Sequence, residues 1–178
     1  MKPQTLSRLL AVATVALAVS AEAEMKKAPK SPPAETTATL AGKQVKIAYA
    51  APSMNGRKIF GALVPYGQVW RTGANAATTL ATEVDLDLKG LKIPKGTYTL
   101  FTVPTEGGMA LIVNKQTGQW GTKHDAAQDL GKVDLDVKKP DAPVEKLLIT
   151  LASTGDDAGT LTIAWENVSA SAPISAAK

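Results

Sequence analysis

A chain of 178 residues with 44% hydrophobic side chains and a mean hydropathy of −0.02 holds enough apolar material for one core, in the usual size range of a single domain with flexible ends. Its formal charge of +4 is mild, and its basic residues are interleaved with acidic ones; that excludes the electrostatic footprint of a nucleic-acid binder. Cysteine is absent, which excludes a disulfide scaffold, a lipid-modified cysteine anchor and a thiol nucleophile.

In chain order, Lys2 and Arg8 come first, followed by a run from Leu9 to Val19 that is apolar except for Thr14, and then Ala21-Glu22-Ala23. Positive residues, a short apolar run and small residues at the end make an export signal, residues 1–23, cleaved after Ala23 with Ala21 as the alternative. The run is shorter than the roughly 20 apolar residues of a bilayer span, so no transmembrane span is expected after its removal. A buried core helix is the other reading, and the polar Lys/Pro/Ala stretch directly behind it argues against that. Loss of Lys2, Arg8 and Glu22 takes the charge of +4 to about +3. The expected location is periplasmic or secreted. Residues 24–35, rich in Lys, Pro and Glu, read as a disordered leader, residues 36–174 as a single domain and 175–178 as a frayed tail.

Within the domain the hydrophobic period is two. Val45, Ile47 and Tyr49 alternate with Lys46 and Ala48; Val84, Leu86 and Leu88 with Asp85 and Asp87; Val133, Leu135 and Val137 with Asp134 and Asp136. Residues 97–103, 109–114, 144–151 and 161–165 fit the same pattern, and Gly- and Pro-containing turns separate the runs. About eight short strands with no helix long enough for parallel crossovers predict an all-β fold, an antiparallel β-sandwich or jelly roll. Short helical turns are expected at 61–64 and at 124–130, the latter capped by Thr122 or Asp125.

Residues 52–79 do not alternate. Gly56, Gly61, Gly67 and Gly73 punctuate a stretch that also carries Arg57, Tyr66, Trp70, Arg71 and Asn75. Apolar anchors at Ile59, Phe60, Leu63, Val64, Val69 and Trp70 predict an ordered loop, and long ordered loops are often functional. This stretch, PSMNGRKIFGALVPYGQVWRTGANAATT, with IPKGTYTLFTVP and LIVNKQTGQWGTKHDAAQDL further on, resembles the bacterial family known as domain of unknown function 2911, from about residue 38 to 173. The resemblance implies an exported bacterial protein and carries no assigned activity. Members often have an aromatic residue where this chain has His124, which takes weight from that histidine.

Two guanidiniums brought together by one loop, Arg57 and Arg71, would hold a carboxylate, phosphate or sulfate, while Trp70 or Tyr66 would stack on a sugar or planar group. The competing structural role is that each Arg satisfies loop carbonyls and Trp70 belongs to the core. Asn75 would tie down the Gly73-Ala74 turn or touch the ligand. His124, beside Asp125, is the sole histidine and has no nucleophile elbow to serve, so it reads as a solvated loop residue. One histidine and no cysteine argue against zinc. Asp156-Asp157 would offer oxygens to calcium but reads as a polar turn. Asp85/Asp87 and Asp134/Asp136 read as wet strand faces, Trp120 as an exposed stacking residue and Trp165 as core. No catalytic residue, metal site or cofactor is assigned. The leading reading is a binding module for a small anionic or carbohydrate ligand on Arg57, Arg71, Trp70, Tyr66 and Asn75. The rivals are a structural envelope protein contacting another, unidentified protein, and an uncharacterised hydrolase.

Overall fold

The computed structural model describes residues 30–177; the export signal expected over 1–23 and the first part of the leader lie outside the described residues. Eleven strands make up nearly all the regular structure: β1 (Pro33–Leu40), β2 (Lys43–Ala50), β3 (Thr78–Thr82), β4 (Leu86–Leu88), β5 (Leu91–Ile93), β6 (Gly96–Pro104), β7 (Met109–Asn114), β8 (Asp129–Lys138), β9 (Val144–Ser153), β10 (Ala158–Glu166) and β11 (Val168–Ala176). Every pairing between them is antiparallel. A single 3-10 turn, Ala126–Gln128, is capped by Asp125, whose carboxylate accepts from the Ala127 N–H. Residues 61–64 form a hydrogen-bonded turn and not a helix, closed by Val64 N–H to Ile59 O at 2.9 Å.

The fold is all-β, as expected, but with eleven strands where about eight were expected, and a nearly closed barrel replaces two clearly separate sheets. The path runs β1-β2-β3-β6-β7-β8-β11-β10-β9, with β4 and β5 attached through β11. β8 carries the turn of the sheet, pairing with β7 along 129–135 and with β11 along 136–138. The extra strands are those with weak hydrophobic contrast. In β11 the buried positions are Ser169, Ala170, Ala172, Ile174 and Ala176, and β5 is three residues long. Pairing begins at Pro33 and continues to Ala176, against expected bounds of 36 and 174.

Tight hairpins set the register. Ala41 and Gly42 join β1 to β2 with φ of 50° and 72°, and Lys89 and Gly90 join β4 to β5 with φ of 50° and 94°. Two consecutive left-handed residues match the twist of the strands they link. The second hairpin also explains one acidic pair: Asp87 accepts from the Gly90 N–H at 2.6 Å and pairs with Lys92 at 2.8 Å, contacts that hold its carboxyl below the usual range. Asp85 caps Lys95 N–H, and Asp136 pairs with Lys89.

Most of the period-two residues fill the barrel, although Val137 is 37% exposed and Val84 only partly buried. Val45, Ile47, Leu86, Leu88, Leu147, Ile149, Leu161 and Ile163 are all at most 2% exposed. The two ends of the path, β1 and β9, meet along a seam that side chains close. Ile149 N–H donates to Tyr49 Oη at 3.0 Å, Leu151 N–H donates to Thr36 Oγ1 at 3.0 Å, and Ser153 Oγ donates to Thr39 O at 3.3 Å. Hydroxyls thus satisfy amides that a neighbouring strand would otherwise take, as buried amides require. Tyr49→Phe leaves the Ile149 N–H without an acceptor, and urea denaturation should show a loss of about 1 to 3 kcal/mol with faster amide exchange at Ile149; an unchanged midpoint would mean the seam is held by packing alone.

Candidate functional site

The non-alternating stretch is the connection between β2 and β3, residues 51–77, and backbone pairing fixes it to three parts of the barrel. Leu147 N–H donates to Pro52 O at 2.9 Å and Met54 N–H donates to Glu145 O at 2.8 Å, so the loop's first residues pair with the start of β9. Trp70 and Thr102 exchange both backbone hydrogen bonds, at 2.7 and 2.8 Å, which ties the loop's middle to β6. Phe60 N–H donates to the Glu166 carboxylate at 3.0 Å, and Glu166 itself has φ of 53° at the β10–β11 turn. The ordered loop expected from the apolar anchors is present. Ile59, Phe60 and Val64 are buried, whereas Leu63 (48%) and Val69 (43%) are exposed.

Between this loop and the barrel end lies a cleft of about 690 Å³, lined by Lys30, Ser53, Arg57, Leu63, Trp70, Arg71 and Trp165 among others. Among the described residues three cations and no carboxylate contribute to its wall. That volume is typical of a small-molecule site, in the range of roughly 300 to 1,000 Å³. Its floor is aromatic: the Trp70 and Trp165 rings stack at 5.6 Å with an interplanar angle of 19°, and Phe60 meets both edge-on at 6.1 and 6.4 Å. Both indole N–H groups are committed, Trp70 Nε1 to Gly73 O and Trp165 Nε1 to Glu145 O, each at 3.2 Å.

The two arginines play different parts. Arg57 Nε donates to Met54 O at 2.8 Å and its Nη2 to Ser53 O at 2.7 Å, so the guanidinium is pinned to its own turn. It satisfies loop carbonyls and lines the cleft at once. Arg71 lines the cleft without an ion pair among the described residues, and its Nε is buried with no hydrogen-bond partner. Its aliphatic stem lies against Gly121, where a Cβ would come within 2.2 Å of Arg71 Cδ and 2.9 Å of Asn75 O. Only glycine fits there. The next residue, Thr72, is wholly buried with φ of 53°, an uncommon conformation for a β-branched side chain. Its Oγ1 lies 3.2 Å from Thr102 Oγ1, and Thr78 Oγ1 donates to Thr72 O at 3.0 Å.

Tyr66 and Asn75 do not reach the cleft wall. The Tyr66 ring covers Gly61, whose Cβ position would be 2.7 Å from it, and is 39% exposed on the outer side of the loop. Asn75 is exposed with φ of 60°, and its Nδ2 reaches Ser31 O at 3.5 Å; it holds the incoming chain and not the Gly73-Ala74 turn. His124 is less solvated than the sequence implied, with a side chain 17% exposed. Its Nε2 lies 2.9 Å from Asp129 Oδ1, its ring packs against Phe101 at 4.8 Å, and Asn114 donates to the same Asp129 oxygen at 2.7 Å. This network sits under the 115–128 loop and outside the cleft lining. Trp120 is 57% exposed, and Trp165 is core, 2% exposed. Among the described residues no three His, Cys, Asp or Glu side chains are grouped to hold a metal.

The family described as protein of unknown function (DUF2911) matches residues 31–174. The chain belongs to this family. No curated protein and no solved structure matches it. The DUF2911 match covers the loop that forms the cleft and the barrel up to Ile174, two residues short of the end of β11, and it extends the span of about 38 to 173 read from the motifs.

Three lining residues, Lys30, Ser31 and Trp165, lay outside the 52–79 stretch in which the sequence placed the site. Lys30 and Ser31 fell in the expected leader, and Trp165 was assigned to the core, where its ring indeed sits while also flooring the cleft. No local pattern marks any of them. Trp70→Ala removes the stack on Trp165; chemical denaturation should show a loss of about 2 to 4 kcal/mol, and the ultraviolet circular dichroism of the coupled indoles should disappear. A fully stable variant with an unchanged spectrum would contradict the stacked floor.

Proposed function

We propose that this DUF2911 protein is an exported binding module, periplasmic or secreted, whose loop cleft takes a small anionic or carbohydrate ligand against Arg57, Arg71 and Trp70. One observation carries the reading: among the described residues the cleft wall holds three cations and no acid, and one of those cations, Arg71, has no ion pair there and a buried Nε without a hydrogen-bond partner. A half-buried guanidinium with one nitrogen withdrawn from water and no counter-charge beside it is a cost to the fold that an arriving anion would offset. Such unpaired groups are kept where binding uses them, and the neighbouring Thr72 strain points the same way. Arg57, already tied to two carbonyls, adds charge without needing to move.

The distinguishing variant is Arg71→Met, which keeps the stem against Gly121 and removes the charge. Its melting temperature without ligand should equal or exceed that of the parent, while calorimetric response to an anion and glycan panel should vanish. A large loss of stability with binding intact would make Arg71 a structural residue. Export is supported by the sequence of residues 1–23; N-terminal sequencing of protein recovered from a bacterial envelope fraction should begin at Glu24, or at Glu22 if Ala21 is the cleavage site. A chain that still begins at Met1 would refute export by signal cleavage.

A second reading, an envelope protein that contacts another protein, draws on the exposed Leu63, Tyr66 and Val69 of the same loop. Those side chains are exposed on a surface where apolar groups often mark contacts. Recovery of one stoichiometric partner that is lost with Val69→Ser, at unchanged small-molecule binding, would favour it.

A further inference from the structure

Resting on that reading of the cleft, we infer that its ligand is an amphipathic organic anion, a carboxylate or phosphate ester carrying an apolar body, and neither a neutral sugar nor a bare inorganic ion. The wall is divided by chemistry. One part presents Lys30, Arg57 and Arg71 with Ser53; the other presents Leu63 and Trp70, the latter backed by the buried Trp165 ring. Lysine and arginine donate hydrogen bonds and accept none, so the ligand must bring the acceptors, and three positive charges select acceptors that are negative.

A neutral sugar fits this inventory poorly. Each sugar hydroxyl needs an acceptor as well as a donor, and among the described residues the lining contains no carboxylate, with Asn55 as its only side-chain amide and Ser31 and Ser53 as its only hydroxyls. Glu145, beside the cleft, spends one carboxylate oxygen on the Asn55 N–H at 2.9 Å. The indole N–H groups that would otherwise bond to a polar ring are both taken by backbone carbonyls, which leaves the floor as hydrocarbon and π surface. An inorganic anion would meet the cations and leave that floor uncovered. The cavity of about 690 Å³ is many times the volume of one such ion, and filling it with apolar matter is where a binding gain is available. Leu63, 48% exposed at the edge of the wall, is placed to cover an apolar body once it is seated.

Isothermal titration of the purified protein with butanoate, hexanoate, octanoate, indole-3-acetate, inorganic phosphate and glucose tests this. Kd should tighten roughly three- to fourfold for each methylene added along the fatty-acid series, and indole-3-acetate should bind while phosphate and glucose give no heat. Leu63→Ser, an exposed position whose change should leave the fold intact by circular dichroism, should weaken octanoate by roughly fivefold and leave butanoate nearly unchanged. Phosphate binding as tight as octanoate, or a series with no length dependence, would overturn the inference and leave an anion cleft standing. Glucose binding that survives Arg71→Met would overturn it in favour of a carbohydrate site. No heat from any member would overturn both this inference and the proposed binding cleft.

Discussion

The site depends on the exchange of two backbone hydrogen bonds between Trp70 and Thr102. A connection as long as residues 51–77 has many conformations, and a cleft wall made from it would be undefined unless something removed them. The Trp70 bridge does so at the middle of the loop, and the Ser53 and Ala76 bridges do so near its ends. Between these fixed points the loop behaves as irregular sheet. Its side chains are then positioned by the barrel: Trp70 falls on Trp165, Arg71 runs over Gly121, and Thr72 is driven into the interior with its hydroxyl against Thr102.

Closure of the barrel and formation of the cleft are one event. The free edge of β9 needs acceptors for its amides. Along its second half they are the hydroxyls of Tyr49 and Thr36; along its first half they are carbonyls of the loop, with Pro52 O receiving Leu147 N–H. The loop therefore completes the seam where β1 does not reach, and the space left between loop and barrel end becomes the cleft. Glu145 joins the two roles, its carbonyl accepting from Met54 N–H and Trp165 Nε1 and its carboxylate from Asn55 N–H.

Costs to stability collect in this one region. A β-branched residue in a left-handed conformation, a buried guanidinium nitrogen without a partner and a buried Gln119 oxygen without one all lie in the loop or in the 115–128 segment it touches. Elsewhere the fold follows simpler rules: apolar residues in, turns with glycine where two left-handed residues are needed, acids spent on turn amides and lysines. Ala41, Lys89 and Glu166 are left-handed too, but they sit in hairpin turns that call for that conformation.

The local alternation of residues was enough to determine strand character, because the pleat points successive side chains to opposite faces whatever the partner strand is. Thus β2, β4, β8 and β10 were legible, as were the core place of Trp165 and the Asp125 cap. Strands such as β1, with Thr and Ala at alternate positions, and β11, with Ser and Ala, were not, since small residues carry little hydrophobic contrast and their burial is decided by what lies opposite. Arg57, Arg71 and Trp70 could be picked out as chemistry placed in a loop, but not their difference. Arg57 is pinned by carbonyls of its own turn, but that Arg71 has no ion pair among the described residues, that Tyr66 and Asn75 face elsewhere, and that Lys30 and Trp165 join the wall from distant parts of the chain are consequences of long-range pairing. So is the barrel itself: whether the sheet stays open or closes depends on where β1 and the adjoining β2 meet β9, and residues a hundred or more positions apart leave no periodic trace of such a meeting in either segment.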